Sequence, residues 1–127
     1  MGSLERDCPF FLSGKEGFFM PLTVNLYYTG EGDAARAFAE EMTRSGTVAA
    51  IRSEPGCLRY EYFFPMDDPH TVLLIDSWAS QEAVDAHHRT PMMRTIAELR
   101  EKYDLHMLVE RFVPDEPPQA DRTFVRE

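Results

Sequence analysis

Apolar and polar residues alternate along several short segments of the chain and recur at helical spacing in the intervals between them. Alternation is typical of strands, and a spacing of three to four residues is typical of amphipathic helices. The predicted strands are Leu22 to Tyr28, Cys57 to Phe64, Thr71 to Trp78 and Leu105 to Val113. Helical spacing separates the first strand from the second and the third from the fourth, so the predicted order is strand, helix, strand, strand, helix, strand.

The two helical intervals carry recognisable start signals. The first helix is predicted to begin at Asp33, a favourable N-cap residue, and to continue through Ala49. Ser80 can cap the second helix with its hydroxyl, so that helix is predicted to run from Gln81 to Arg89. Apolar spacing then predicts a further helical stretch from Met92 to Lys102.

This order predicts an α+β fold of the ferredoxin-like type, βαββαβ, with one antiparallel sheet and helices on one face. The predicted organisation is an N-terminal arm or leader at residues 1–21, a ferredoxin-fold domain at 22–113 and a C-terminal tail at 114–127. The third strand is apolar on both faces through Val72 to Ile75, although the helices cover only one of them. A second copy of the chain is the simplest cover for the other face, so we expect a homodimer, a dimeric α+β barrel.

Composition limits which binding partners and which cellular compartment are expected for this chain. The chain has 22 acidic and 13 basic residues and a net charge of -9, and this field repels phosphate backbones, so no nucleic-acid partner is expected. The longest apolar runs are too short to span a membrane, so no membrane partner is expected either. The two cysteines, Cys8 and Cys57, have no disulfide or metal spacing, which favours reduced thiols in a cytoplasmic protein.

Histidine is the first candidate for chemistry. At about 100° per residue, His87 lies centrally on the inward face of the second helix, whereas His88 falls near the edge of that face. Histidine exchanges protons near neutral pH, which suits it to take a phenolic proton. The alternative for His87 is a core histidine that is bonded to a backbone carbonyl.

Asn25 is the second candidate, because an amide interrupts an otherwise apolar strand there. If its face lines a pocket, the amide can hold a substrate oxygen or a developing oxyanion. Tying down neighbouring backbone is the alternative role. Tyr60, Trp78 and Met92 are possible walls of a substrate pocket with His88, although packing alone also accounts for aromatic residues in strands.

The segment that follows the first helix resembles the antibiotic biosynthesis monooxygenase family. Together with flanking elements the resemblance covers about Leu22 to Phe112, and its matching pieces are Glu54-Pro55-Gly56-Cys57, Tyr60-Glu61, Asp76-Ser77-Trp78, Asp85-Ala86-His87 and Thr90-Pro91. The resemblance implies a dimeric ferredoxin-like domain that oxidises aromatic substrates without a cofactor. It also implies that His87 lines the pocket.

The expected function is therefore a cofactor-independent monooxygenase acting with dioxygen on an electron-rich small aromatic, such as a quinol or polyphenol. A deprotonated phenolic ring can pass an electron to dioxygen itself, so the protein has to supply a base, an oxyanion donor and a dry pocket. His87 is the predicted base and Asn25 the predicted donor. No metal or flavin is expected, because the histidines lack ligand spacing and no glycine-rich phosphate loop is present.

Two other functions remain open. An isomerase of a phosphorylated sugar-like compound also exists on this fold, and cations near the second helix could hold its phosphate: Arg89, Arg94, Arg100 and Lys102. A non-enzymatic small-ligand or stress-response role is the other alternative. Haem degradation is disfavoured, because relatives with that activity need a tryptophan and a histidine where this chain has His87 and Ala97.

Overall fold

The computed structural model describes residues 20–126, so nearly all of the predicted N-terminal arm lies outside the described residues. The strands are β1 Leu22–Thr29, β2 Cys57–Phe63, β3 Thr71–Trp78 and β4 His106–Phe112. The helices are α1 Ala34–Arg44, α2 Thr47–Arg52, α3 Gln81–His87 and α4 Met92–Lys102, and a short 3-10 helix, η1, spans Gln119–Phe124 in the C-terminal segment.

The strands form one four-stranded sheet in the order β2-β3-β1-β4, and every neighbouring pair is antiparallel. Strand β3 therefore lies between β1 and β2, and β1 lies between β3 and β4. This is the split βαβ arrangement of ferredoxin-like folds, so the predicted α+β fold class is confirmed.

The first helical interval differs from its prediction, because two helices replace one. Helix α1 ends at Arg44, and Gly46 adopts a left-handed conformation with φ of 84° before α2 begins at Thr47. Glycine reaches this region without steric cost, so the chain changes direction there. Val48 and Ile51 of α2 are still buried, which explains why the apolar spacing continued past the break. Helix α3 is also shorter than predicted and ends at His87.

The hydrophobic core lies between the helices and one face of the sheet. Alternate residues of β1 and β3 point into it, among them Tyr28, Val72 and Trp78. Phe38 and Met42 of α1 pack against them and are fully buried. Burial of this apolar face is the main contribution to the stability of the domain.

The opposite face of the sheet has no covering layer within residues 20–126. Phe63, Leu108 and Phe112 remain 37%, 59% and 49% exposed, and every residue of β4 is exposed. Among the described helices none is long and apolar enough to cross a membrane. The uncovered apolar face is the one for which the sequence predicts a second copy of the chain.

Candidate functional site

A cavity of about 270 Å³ lies between the helix-facing side of the sheet and the helices α3 and α4. Its walls are mainly apolar, and a few ionisable side chains converge on it, as in most small-molecule sites. The sheet contributes Val24, Leu26, Tyr28, Tyr60, Leu74, Asp76, Trp78, Met107, Val109 and Arg111, and the helices contribute Val84, His87, His88, Met93, Ile96 and Arg100.

His87 forms a buried pair with Glu54 at this cavity. The Nδ1 atom lies 3.0 Å from Glu54 Oε2 and 3.2 Å from Oε1, and the two side chains are only 6% and 9% exposed. An ionised carboxylate can only accept hydrogen bonds, so Nδ1–H is the donor. The Nε2 atom has no hydrogen-bond partner in the part of the chain that the structure describes. In the neutral ring its lone pair is therefore free to accept a proton.

Local sequence brings Glu54 to His87 through a glycine turn. Gly56 has φ of 83°, and a Cβ atom there would come within 2.6 Å of the Ala83 side chain. Only glycine lets this turn lie so close to α3, which places Glu54 beside the last turn of the helix. At the other end of α3, Ser80 Oγ accepts the Ala83 N–H at 3.2 Å, as the sequence predicted.

Two aromatic side chains surround the His87 ring. The Trp78 ring centroid lies 4.6 Å away at an interplanar angle of 31°, and the Tyr60 ring lies 6.4 Å away in an edge arrangement. Burial raises the pKa of Tyr60 well above its usual value, so its hydroxyl stays protonated. The His87 ring therefore lies in a largely apolar environment where water competes poorly for the lone pair of Nε2.

Asp76 is a second buried ionisable group of the cavity. Its side chain comes from β3, the residue is 6% exposed, and its Oδ1 has no hydrogen-bond partner within residues 20–126. Burial raises the pKa of Asp76 to about 6, while a hydrogen bond from the Trp78 side chain and the charge of His87 act in the opposite direction. A buried carboxyl group that titrates near neutral pH is typical of functional sites.

The structure brings most of the predicted pocket residues together. His87, His88, Tyr60 and Trp78 all line the cavity. Met92 does not line it and packs against the core, whereas its neighbour Met93 forms part of the wall. Helix α4 starts at Met92, and its rotation turns the second methionine toward the cavity.

Asn25 is not brought together with His87. Its chain neighbours Val24 and Leu26 line the cavity, and successive side chains of a strand point to opposite faces. The Asn25 side chain therefore lies on the uncovered face, between Ile75 and Glu110 of the adjoining strands. The prediction that His87 and Asn25 act together in one pocket is therefore wrong, because the alternation of β1 directs the Asn25 side chain to the other face of the sheet.

Glu54 and Asp76 were not predicted as functional residues from the sequence. Both belong to segments that match the family, Glu54-Pro55-Gly56 and Asp76-Ser77-Trp78, in which the local pattern indicates only a turn and the end of a strand. Alternation already placed Asp76 on the same strand face as Leu74 and Trp78, so that signal was available. The approach of Glu54 to His87 had no local signal, because 33 positions separate them.

No group of three or more His, Cys, Asp or Glu side chains is placed to hold a metal ion among residues 20–126. The four cations that could hold a phosphate near the second helix are also dispersed. Of them only Arg100 lines the cavity, whereas Arg89, Arg94 and Lys102 do not.

Comparison with known proteins identifies the family. Residues 21–99 match the sequence model of the antibiotic biosynthesis monooxygenase family, so the chain belongs to this family, which includes monooxygenases. The resemblance seen in the sequence is thereby confirmed.

Solved structures share the same fold. PA3566 from Pseudomonas aeruginosa superposes with a TM-score of 0.67 at 24% identity, over 79% of this chain and 100% of that one. SnoaB from Streptomyces nogalater, a cofactor-independent oxygenase, superposes with a TM-score of 0.65 at 18% identity, over 79% and 98% of the two chains. At these identities the likeness concerns the fold alone.

One curated relative matches over a shorter segment. The protein sll1783 from Synechocystis sp. is 32% identical over 51 residues, which make up 40% of this chain and 35% of that protein. The match thus spans about a third of the relative's length. It adds no functional assignment to the family membership.

Proposed function

We propose that this protein is a cofactor-independent monooxygenase that oxidises an electron-rich aromatic, a quinol or polyphenol, with dioxygen. The observation that carries the proposal is the buried Glu54–His87 pair: His87 lines a mainly apolar cavity, and its Nε2 has no hydrogen-bond partner among residues 20–126. The cavity volume of about 270 Å³ is at the small end for ligand sites, which suits a substrate of one or two aromatic rings. Family membership supports the same reaction class.

In the proposed reaction, His87 Nε2 takes the phenolic proton, and the Glu54 carboxylate stabilises the imidazolium that forms. The phenolate then passes an electron to dioxygen, and the two radicals combine to a ring peroxide. For a quinol the overall balance is quinol plus dioxygen to hydroxyquinone plus water, and the substrate supplies every electron. No flavin or metal has to take part in this sequence.

Asp76 is the proposed second proton carrier. In its protonated form it can donate to the oxygen atom that leaves as water, and in its ionised form it can take a proton back from the substrate. Its burial beside Trp78 and His87 places a group with a pKa of about 6 at the same cavity. Asp76 is therefore the proposed donor to the reacting oxygen, the role that the sequence predicted for the Asn25 amide.

We also propose that the working unit is a homodimer in which the uncovered sheet faces of two chains pack together. Exposed apolar residues such as Leu108 and Phe112 support this, because large exposed apolar patches mark interfaces. Asn25 would then lie at the interface. Light scattering at micromolar concentration should give twice the 14.6 kDa chain mass, and a monomer would contradict the proposal.

The test of the activity is oxygen uptake with a panel of quinols and polyphenols, before and after exhaustive chelation and without added flavin. We expect product formation that is unaffected by the chelator and greatly reduced in His87→Ala. Activity that is lost on removal of a metal or flavin and restored on its return would overturn the mechanism. Tight binding of the same compounds with no oxygen uptake would instead support the non-enzymatic ligand-binding alternative.

A further inference from the structure

Two arginines of the cavity have no carboxylate partner in the described part of the chain, although acidic residues outnumber basic ones by 22 to 13. Within residues 20–126, Arg100 Nη1 donates only to Met107 Sδ at 3.1 Å, and Arg111 Nη2 donates only to the neutral Gln81 Oε1 at 2.7 Å. A guanidinium has five N–H donors and binds carboxylates in bidentate fashion, so both side chains keep free donors.

Some cations elsewhere on the surface do have a carboxylate partner. Outside the cavity, several pair with a nearby carboxylate: Arg44 with Glu40, Arg59 with Glu61, Lys102 with Glu41 and Arg122 with Glu116. Other arginines, among them Arg36 and Arg94, also have no carboxylate partner within residues 20–126, and Arg100 and Arg111 differ from them because both line the open edge of the cavity.

The sheet register places one of these arginines in line with the proton-transfer groups. Arg111 is paired with Val24, Val24 with Asp76, and Asp76 with Tyr60, so the four residues form one row across the sheet. Two strand spacings separate Arg111 from Asp76, which is about 10 Å between their Cα atoms.

Arg100 approaches the same edge from helix α4. Its contact Met107 is paired with Tyr28, so Arg100 and Arg111 lie on either side of Val109 at the open edge of strand β4. The row from Tyr60 to Arg111 thus runs from the buried, proton-exchanging end of the cavity to a positively charged end.

We propose that Arg100 and Arg111 select an aromatic substrate that carries a carboxylate at the end opposite its reacting hydroxyl. This inference rests on the proposed function, since it assigns the hydroxyl end to His87 and Asp76. The apolar stretch between the two ends, formed by Val24, Leu26 and Val109, accommodates the ring system. In a chain of net charge -9, two unpaired cations at a cavity attract an anion that the rest of the surface repels.

The test measures binding rather than turnover, with oxygen-stable probes. The probes are 6-hydroxy-2-naphthoate, its uncharged methyl ester, and 3-hydroxy-2-naphthoate, in which the hydroxyl and carboxylate are adjacent. Affinities are measured by titration calorimetry on the wild type, Arg100→Gln, Arg111→Gln and the double variant. Arg94→Gln is the matched control, because Arg94 is exposed on the same helix and does not line the cavity.

We expect the wild type to bind 6-hydroxy-2-naphthoate about tenfold more tightly than the ester, as charge-assisted hydrogen bonds predict, and more tightly than the adjacent isomer. The double variant should lose this preference, each single variant should lose part of it, and Arg94→Gln should keep it. Equal affinity for acid and ester in the wild type, or an unchanged preference in the double variant, would overturn the inference. These binding outcomes do not depend on oxygen uptake. Absence of oxygen uptake would contradict only the proposed reaction. Failure of every probe to bind would contradict both the proposed reaction and the proposed carboxylate selection.

Discussion

The two faces of the same sheet differ in what they bury. Strand β3 presents Leu74, Asp76 and Trp78 to the helices, and all three are buried. Its alternate residues, Leu73 and Ile75, face the uncovered side and are only half-buried. The helix side therefore combines a core with ionisable groups, whereas the other side is an apolar surface without a layer above it. By alternation alone, one strand thus contributes to the proposed reaction site with one face and to the proposed dimer interface with the other.

Polar groups on the two faces are satisfied in different ways. On the uncovered face, hydroxyl pairs tie the strands together, with Thr23 and Ser77 at 2.8 Å and Thr29 and Thr71 at 2.9 Å. On the helix side, Asp76 Oδ1 stays without a partner in residues 20–126. A buried carboxyl oxygen without a partner costs stability, which is consistent with the proposed role of Asp76 as a proton carrier.

The largest expected effect is that a buried charge on one face of the sheet prevents folding, whereas a charge on the other face prevents dimerisation. Leu74→Glu should prevent folding, because it buries a charge beneath the helices at a cost of several kcal/mol. Ile75→Glu should leave a folded chain that no longer dimerises, because the charge would lie in the proposed interface. Circular dichroism and light scattering measure the two outcomes. A folded Leu74→Glu, or a dimeric Ile75→Glu, would contradict the assignment of the faces.

The next effect is a difference in turnover between substitutions on the two faces of the sheet. His87→Ala should lower turnover about 10²–10⁴-fold, since it removes the general base. Asn25→Ala on the opposite face should have a much smaller effect, and His88→Ala, an exposed residue at the cavity, serves as a second control. The measurement is the steady-state rate of oxygen uptake with the best substrate of the panel. Equal losses in all three variants would indicate structural roles.

The third effect concerns stability and pH. The pKa of Asp76 is raised to about 6 from 3.8, so between these values the folded state binds more protons than the unfolded state. Stability should therefore fall as pH rises through about 6, by about 2 to 3 kcal/mol in total. Asp76→Asn should remove this loss and be more stable than the wild type at pH 8, as measured by urea unfolding.

The control for this prediction is Asp67→Asn, which changes an exposed carboxylate in the loop between β2 and β3. It should unfold with the pH dependence of the wild type. If Asp76→Asn also kept that dependence, Asp76 would not be the group responsible. Reduced turnover in the more stable Asp76→Asn would show that the buried carboxyl is retained for activity.

The smallest expected effect concerns the orientation of the base. Glu54→Gln keeps a hydrogen-bonding group beside His87 Nδ1 but removes the charge that stabilises the imidazolium, so turnover should fall by about tenfold or more. Glu61→Gln is the matched control, because Glu61 is an exposed carboxylate of β2 that does not line the cavity. An unchanged rate in Glu54→Gln would contradict a positioning role.

Much of the fold follows from local pattern. The limits of β3 and α4, and those of β1 to within one residue, could be read from the sequence, because they depend on neighbouring residues. The break at Gly46 could not, because apolar residues continue at helical spacing on both sides of it. Glycine permits a left-handed residue but does not require one, and packing of α2 against the sheet decides the conformation.

The sequence by itself determined the order of elements, the family and the inward position of His87, because these depend on local periodicity and on motif order. Only the tertiary structure decided which face of β1 lines the cavity, and it thereby separated Asn25 from His87. It also brought Glu54 to His87 across 33 positions and left Asp76 Oδ1 without a hydrogen-bond partner among residues 20–126. Contacts between distant residues depend on how helices and sheet pack, and that packing has no signature in local spacing.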